Sequence, residues 1–236
     1  MAFNSRQVLI GLAVVVLVAA AAVFFVVNRG GSGGGGVLDT ATSDAATAST
    51  GTGTTAPAAA DSELMVAGPL GDMALGDPNA PNVVIEYASM TCTHCQAFHQ
   101  ETWRPFKEKY IDTGKVYFIL REFPLDPLAT AAIVVARCAP KDQFFPLVDL
   151  MFDRQRDWAF VPQPAAALGN LVKQAGITPE KFQECLKNQQ LLDGVNWVKD
   201  RATKEFGVDS TPTFFVNGEE MTGERDLASF DKLLGG

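Results

Sequence analysis

Thr91-Cys92-Thr93-His94-Cys95 holds two thiols at i and i+3 with a histidine between them. Two cysteines so spaced at the start of a helix lie within the Cα separation of a disulfide, so they can cycle between dithiol and disulfide with the backbone in place. Cys92 would take the helix N-terminus, where unpaired amides and the helix dipole favour a thiolate. His94 can add positive charge or a donor toward the same sulfur. Cys95, one turn further in, reads as the more buried, resolving thiol. A stabilised Cys92 thiolate stabilises the reduced form and makes the disulfide a stronger oxidant.

Two blander readings compete. Cys92, Cys95 and His99 share a helical face and, with His94, could ligate zinc, but structural zinc sites draw ligands from separate segments and no second CxxC or HxxxH exists. A purely structural disulfide closing so short a loop would restrain little of the unfolded chain. The redox reading leads, and neither metal nor cofactor is expected.

Glu86 stands six residues before Cys92 in an apolar run. A buried carboxyl without a partner is costly. It is read as a proton relay for Cys95, its pKa raised by burial, or as the partner of a cation such as Arg121. Cys138 and Cys185 fall on apolar helical faces, and either form a disulfide closing a loop of nearly 50 residues or remain buried free thiols.

The elements that must position these groups follow from periodicity. Val83 to Ala88 is β-branched and nearly all apolar, a central strand covered on both faces. From Cys92 the spacing turns helical through Cys95, Phe98, Thr102, Phe106 and Tyr110, with Pro105 expected to kink or break the helix. Lys115 to Glu122 is a second core strand, parallel to the first across a right-handed crossover. Helices opened by Asp126-Pro127 and Thr178-Pro179 bound a helical insertion over about 126–190. A longer helix ends at Gly207. Ser210 to Val216, a strand that opens with proline, and Glu219 to Thr222 pair through Asn217-Gly218, and a last helix carries Leu227, Phe230 and Leu234.

The first quarter of the chain has no composition for a core. Val8 to Val27 is an apolar stretch long enough to span a bilayer, between Arg6 and Arg29. It is read as an uncleaved anchor in 1–29, the alternative being a signal peptide cut after Ala22. Either exports the rest, where an even number of cysteines suits an oxidising compartment. Residues 30–63 are a flexible linker of Gly, Ala, Thr and Ser, spanning roughly 30 Å, and the globular domain is 64–236. A net charge of −8 without clustered Lys and Arg argues against nucleic acid.

Gly76-Asp77-Pro78-Asn79-Ala80-Pro81, Val83 to Ser89, Cys92-Thr93-His94-Cys95, Arg121 to Leu125, the helical insertion and Thr211 to Phe215 together resemble the DsbA group of thioredoxin-fold oxidoreductases over Leu64 to Leu234. The resemblance implies an α/β thioredoxin fold with an inserted helical domain. It implies a cis Pro212 opposite the CxxC, with the Thr211 backbone free to pair with an extended substrate. Cys138 and Cys185 resemble the second, noncatalytic pair of some alphaproteobacterial members. Thr93 stands where the best-known oxidase has proline, and Thr211 where it has valine, as in some isomerases. The implied function is a periplasmic oxidase that donates its Cys92-Cys95 disulfide to cysteine-containing exported proteins. It would act as a monomer, tethered to the inner membrane or soluble after signal cleavage, and be recharged by a membrane quinone reductase of the DsbB type. A reductase or isomerase on the same fold, and a tethered thioredoxin-like binding or holdase module, are the alternatives.

Overall fold

The computed structural model describes residues 63–235, so the Val8 to Val27 stretch, the cut after Ala22 and the linker up to residue 62 lie outside the described residues. Among the described residues no helix is long and apolar enough to cross a membrane. The strands of the described residues form one five-stranded sheet: β1 (Met73–Leu75), β2 (Asn82–Ala88), β3 (Val116–Glu122), β4 (Thr213–Val216) and β5 (Glu219–Thr222). Their order is β1-β3-β2-β4-β5. β2 and β3 are parallel, as a helical crossover requires, and every other pairing is antiparallel. β1 has only three residues between Gly71-Asp72 and Gly76, too short to show any periodicity in the sequence.

The central strand is buried on both faces. Val84 and Ala88 belong to the core under the first helix, while Ile85 and Tyr87 face a second cluster with Ile119, Val198 and Phe215. Alternation therefore turns Glu86 toward the first helix. The β4–β5 hairpin takes positive φ at both loop residues, 52° at Asn217 and 90° at Gly218, as a two-residue primed turn requires. Asn217 Oδ1 also accepts from Val83 N, which fastens the hairpin to β2.

After β2 the chain stays helical from Thr93 to Ile111. α1 (Thr93–Phe98) and α2 (Arg104–Phe106) are each followed by a wider π-helical turn, His99–Trp103 and Lys107–Ile111. Of the two outcomes expected at Pro105, a kink or a break, the break does not occur. Widened turns on either side accommodate the proline.

The insertion comprises α3 (Pro127–Cys138), α4 (Phe144–Asp153), α5 (Gln155–Trp158), α6 (Pro164–Gln174) and α7 (Pro179–Leu186). Asp126 caps α3 by accepting from Ala129 N, and Thr178 caps α7 by accepting from Lys181 N. Cys138 at the end of α3 and Cys185 in α7 are joined by a disulfide, their Cα atoms 5.6 Å apart. α8 (Gln189–Phe206) ends on Gly207 at φ 70°, and α9 (Leu227–Leu234) closes the chain against the sheet. Phe98, Phe106, Phe214 and Phe230 meet ring to ring between α1, α2, β4 and α9. This aromatic cluster is the floor on which α1 rests.

Candidate active site

Cys92 lies four residues beyond β2 and caps α1. Its N–H donates to Ser89 O, and its Sγ accepts from Cys95 N at 3.4 Å. Facing it from the loop before β4 is Thr211, whose peptide bond to Pro212 is cis. The Cys92 thiol donates to the Thr211 carbonyl oxygen at 3.2 Å. Gly223 N in turn donates to Pro212 O, so the loop after β5 steadies the proline segment.

Cys92 and Cys95 are free thiols with opposite electrostatic fates. A hydrogen bond from the Cys95 thiol lowers the Cys92 pKa to about 5 against opposing burial. The Thr211 side chain and the backbone N–H groups of Cys95 and His94 lower it further. Thr211 Oγ1 is buried with no hydrogen-bond partner, so its proton is free to turn to a thiolate. Cys95 is pushed well above the ordinary thiol value by burial first, then by the Cys92 sulfur and by Glu86. One sulfur is held ready as an anion, and its partner holds its proton.

Glu86 is fully buried and neither carboxylate oxygen has a hydrogen-bond partner. Burial, helped by the charge of Cys92, raises its pKa to about 8. Arg121 is not its counterion. The guanidinium sits on the opposite face of the sheet, paired with both Asp72 oxygens at 3.0 and 2.9 Å and with Tyr87 Oη. Glu86 therefore carries a proton at neutral pH within the electrostatic reach of both cysteines.

His94 gives the Cys92 sulfur a hydrogen-bond donor through its backbone. Its ring is 71% exposed and lies 3.4 Å from Glu224 Oε2. His99 turns away from the cysteines, stacking on Phe152 at 4.3 Å with Nδ1 3.4 Å from Asp149. The zinc arrangement considered from spacing is thus not assembled, and among the described residues no group of three or more His, Cys, Asp or Glu is poised to hold a metal.

Sequence reasoning missed Gln155, buried on α5, whose Nε2 donates to Met90 O at 2.9 Å and Cys92 O at 3.0 Å. Gln96 Nε2 likewise donates to Phe152 O. These amides tie the CxxC turn to the inserted helices. Gln155 stands in Arg154-Gln155-Arg156-Asp157, a polar run that reads locally as a solvated face, so nothing nearby marked it.

The thioredoxin family model matches residues 70–235. A Rickettsia conorii protein provisionally named a protein-disulfide oxidoreductase is 35% identical over 172 residues, 69% of this chain and 60% of that protein. The chain spans 55 to 64% of the length of five such Rickettsia relatives. Among solved structures, Wolbachia pipientis alpha-DsbA1 superposes with a TM-score of 0.67 at 31% identity, covering 73% of this chain and 95% of that one. A protein-disulfide isomerase from Novosphingobium aromaticivorans gives 0.62 at 25% identity, covering 71% and 96%. Matched by that family model over residues 70–235 and by alpha-DsbA1 over nearly the whole of its length, the chain belongs to the thioredoxin family, within its DsbA group.

Proposed function

We propose that the protein is an extracytoplasmic, membrane-tethered dithiol oxidase that donates a Cys92–Cys95 disulfide to cysteine pairs of exported proteins. The observation that carries this reading is the asymmetry of the two thiols, Cys92 near 5 and Cys95 well above its ordinary value. In the oxidised protein a substrate thiolate attacks Cys92 Sγ, the Cys92–Cys95 bond breaks, and Cys95 leaves as a thiolate that takes a proton, with protonated Glu86 as the donor. A second substrate thiolate then attacks the substrate sulfur of the mixed disulfide. The substrate leaves oxidised and Cys92 leaves as a stable thiolate. The two electrons gained pass to a membrane quinone reductase of the DsbB type, which restores the disulfide.

Thr211 and Pro212 present the substrate-binding edge, and the Thr211 carbonyl, now facing Cys92 Sγ, pairs with the backbone of the incoming chain. The enzyme works as a monomer anchored through Val8 to Val27, with the linker giving it reach. Redox equilibration of Cys92 and Cys95 against glutathione tests the direction of the chemistry. A potential near thioredoxin's, about −270 mV, would make the protein a reductase. Retention of activity by Cys92→Ser would instead identify a binding module.

A further inference from the structure

Beside the CxxC, on the flank away from Thr211, an open groove of about 510 Å³ runs between the start of α3 and the α7–α8 corner. Leu125, Ala131, Leu186 and Leu192 line it, and Leu125 is 49% exposed. Apart from the exposed Asn196 amide, its polar side chains are already engaged. Asp126 accepts from Thr91 Oγ1 and Ala129 N, Leu125 N donates to Ser89 Oγ, and Lys199 Nζ donates to Pro124 O at 2.6 Å. Pro124 and Pro127 supply no N–H donor. The surface left for a ligand is therefore mainly aliphatic.

Topology places this groove on the same rim as the nucleophile. β2 and β3 are parallel, so the segments leaving them emerge at one edge, and β4, antiparallel to β2, enters at that edge. In sheet order the rim reads Leu125 after β3, Cys92 after β2, Thr211 before β4. The bonds from Leu125 to Ser89 and from Thr91 to Asp126 join the groove wall directly to the Cys92 turn. Neighbouring strands lie about 4.8 Å apart and an extended chain advances about 3.3 Å per residue. A chain held at Cys92 thus passes Leu125, the near wall of the groove, roughly two residues from its own cysteine.

We propose that this groove is a second substrate subsite, which receives an apolar side chain of the polypeptide being oxidised on the flank opposite Thr211. The proposal rests on the oxidoreductase reading and adds a sequence preference to it. Aliphatic burial in a half-open groove favours leucine over serine by roughly tenfold in kcat/KM.

The test uses two synthetic dithiol peptides that differ only in Leu or Ser two residues from the first cysteine, oxidised by the disulfide form of residues 1–236. The wild-type protein is expected to prefer the Leu peptide about tenfold. Leu125→Ser removes part of the wall, and Asn196→Trp, at an exposed lining position, plugs the groove. In both, the ratio between peptides is expected to fall to near one. Because the ratio is internal to each variant, a general loss of activity cannot imitate this result. Equal rates for the two peptides in the wild type, or an undiminished ratio in Asn196→Trp, overturn the proposal and leave the oxidoreductase reading intact. Failure to oxidise either peptide, or dithiothreitol, overturns both. Self-association of the chain that Asn196→Trp abolishes, without any leucine preference, assigns the groove to a second copy instead.

Discussion

Cys92 Sγ lies 3.2 Å from the carbonyl oxygen of Thr211, across 119 residues of sequence. The contact joins the start of α1 to the cis-proline loop. It sets the Cys92 sulfur against the backbone that leads into β4, while the same sulfur accepts from Cys95 N at 3.4 Å.

The Cys92 thiol is expected to titrate near pH 5, as read by thiolate absorbance in the ultraviolet, while Cys95 stays protonated through neutral pH. Cys95→Ala removes the largest stabiliser of that anion, so the Cys92 titration should move upward. Because the folded pKa is depressed, the stability this thiolate lends the reduced form is complete above the ordinary value of 9.0 and is lost as pH falls through about 5. Denaturant melts of the dithiol protein across that window check the sign.

Glu86 works in the opposite sense. Its pKa rises on folding from 4.5 to about 8, so the native state holds a proton the unfolded chain releases, and stability falls as pH climbs from 4.5 toward 8. At about 1.4 kcal/mol per pKa unit, less the cost of an amide without partners, Glu86→Gln should stabilise the protein by roughly 1–3 kcal/mol at neutral pH. The gain should vanish below about pH 4. On the proposed mechanism turnover should slow as well, since Glu86 is there the proton donor to Cys95. A variant that is more stable and equally fast would remove Glu86 from the mechanism.

The Cys138–Cys185 bridge spans 47 residues and ties α3 to α7. Replacing both cysteines with alanine should cost about 4 kcal/mol in the chain-entropy account. For a domain of this size that lowers the melting temperature by roughly 10 °C. Thermal melts of the double variant against the oxidised parent measure it.

Gln155→Leu removes the side-chain hydrogen bonds to the Met90 and Cys92 carbonyls, of which Cys92 O keeps only the bond from Gln96 N. Two net hydrogen bonds at about 1 kcal/mol each make a loss of roughly 2 kcal/mol. Amide exchange in residues 89–95 should speed up even where the rest of the sheet stays protected. Gln155→Glu should not rescue it, because an ionised carboxylate has no proton to donate.

Local chemistry carried far in this chain. Asp126-Pro127 and Thr178-Pro179 announce helix starts, and Asn217-Gly218 can hardly be anything but a tight hairpin, because only such residues accept positive φ cheaply. The run Val83 to Ala88 and the helical spacing after it place two thiols one turn apart at a strand-to-helix junction. Each of these signals is complete within a few residues, so no knowledge of the chain path is needed to read it.

Partnership across the fold obeys a different logic. Arg121 looked available to Glu86, yet it lies one strand over and one residue out of phase, so alternation sends it to Asp72 on the far face. His94 faces Glu224, 130 residues on, and Gln155 reaches the CxxC turn from α5, a helix of four residues whose polarity suggested only solvent. The residue types and spacings by themselves determined which groups can do redox chemistry and which segments carry them. Which groups meet was decided only by tertiary structure, since register, crossover and sheet order set distances that no local pattern records.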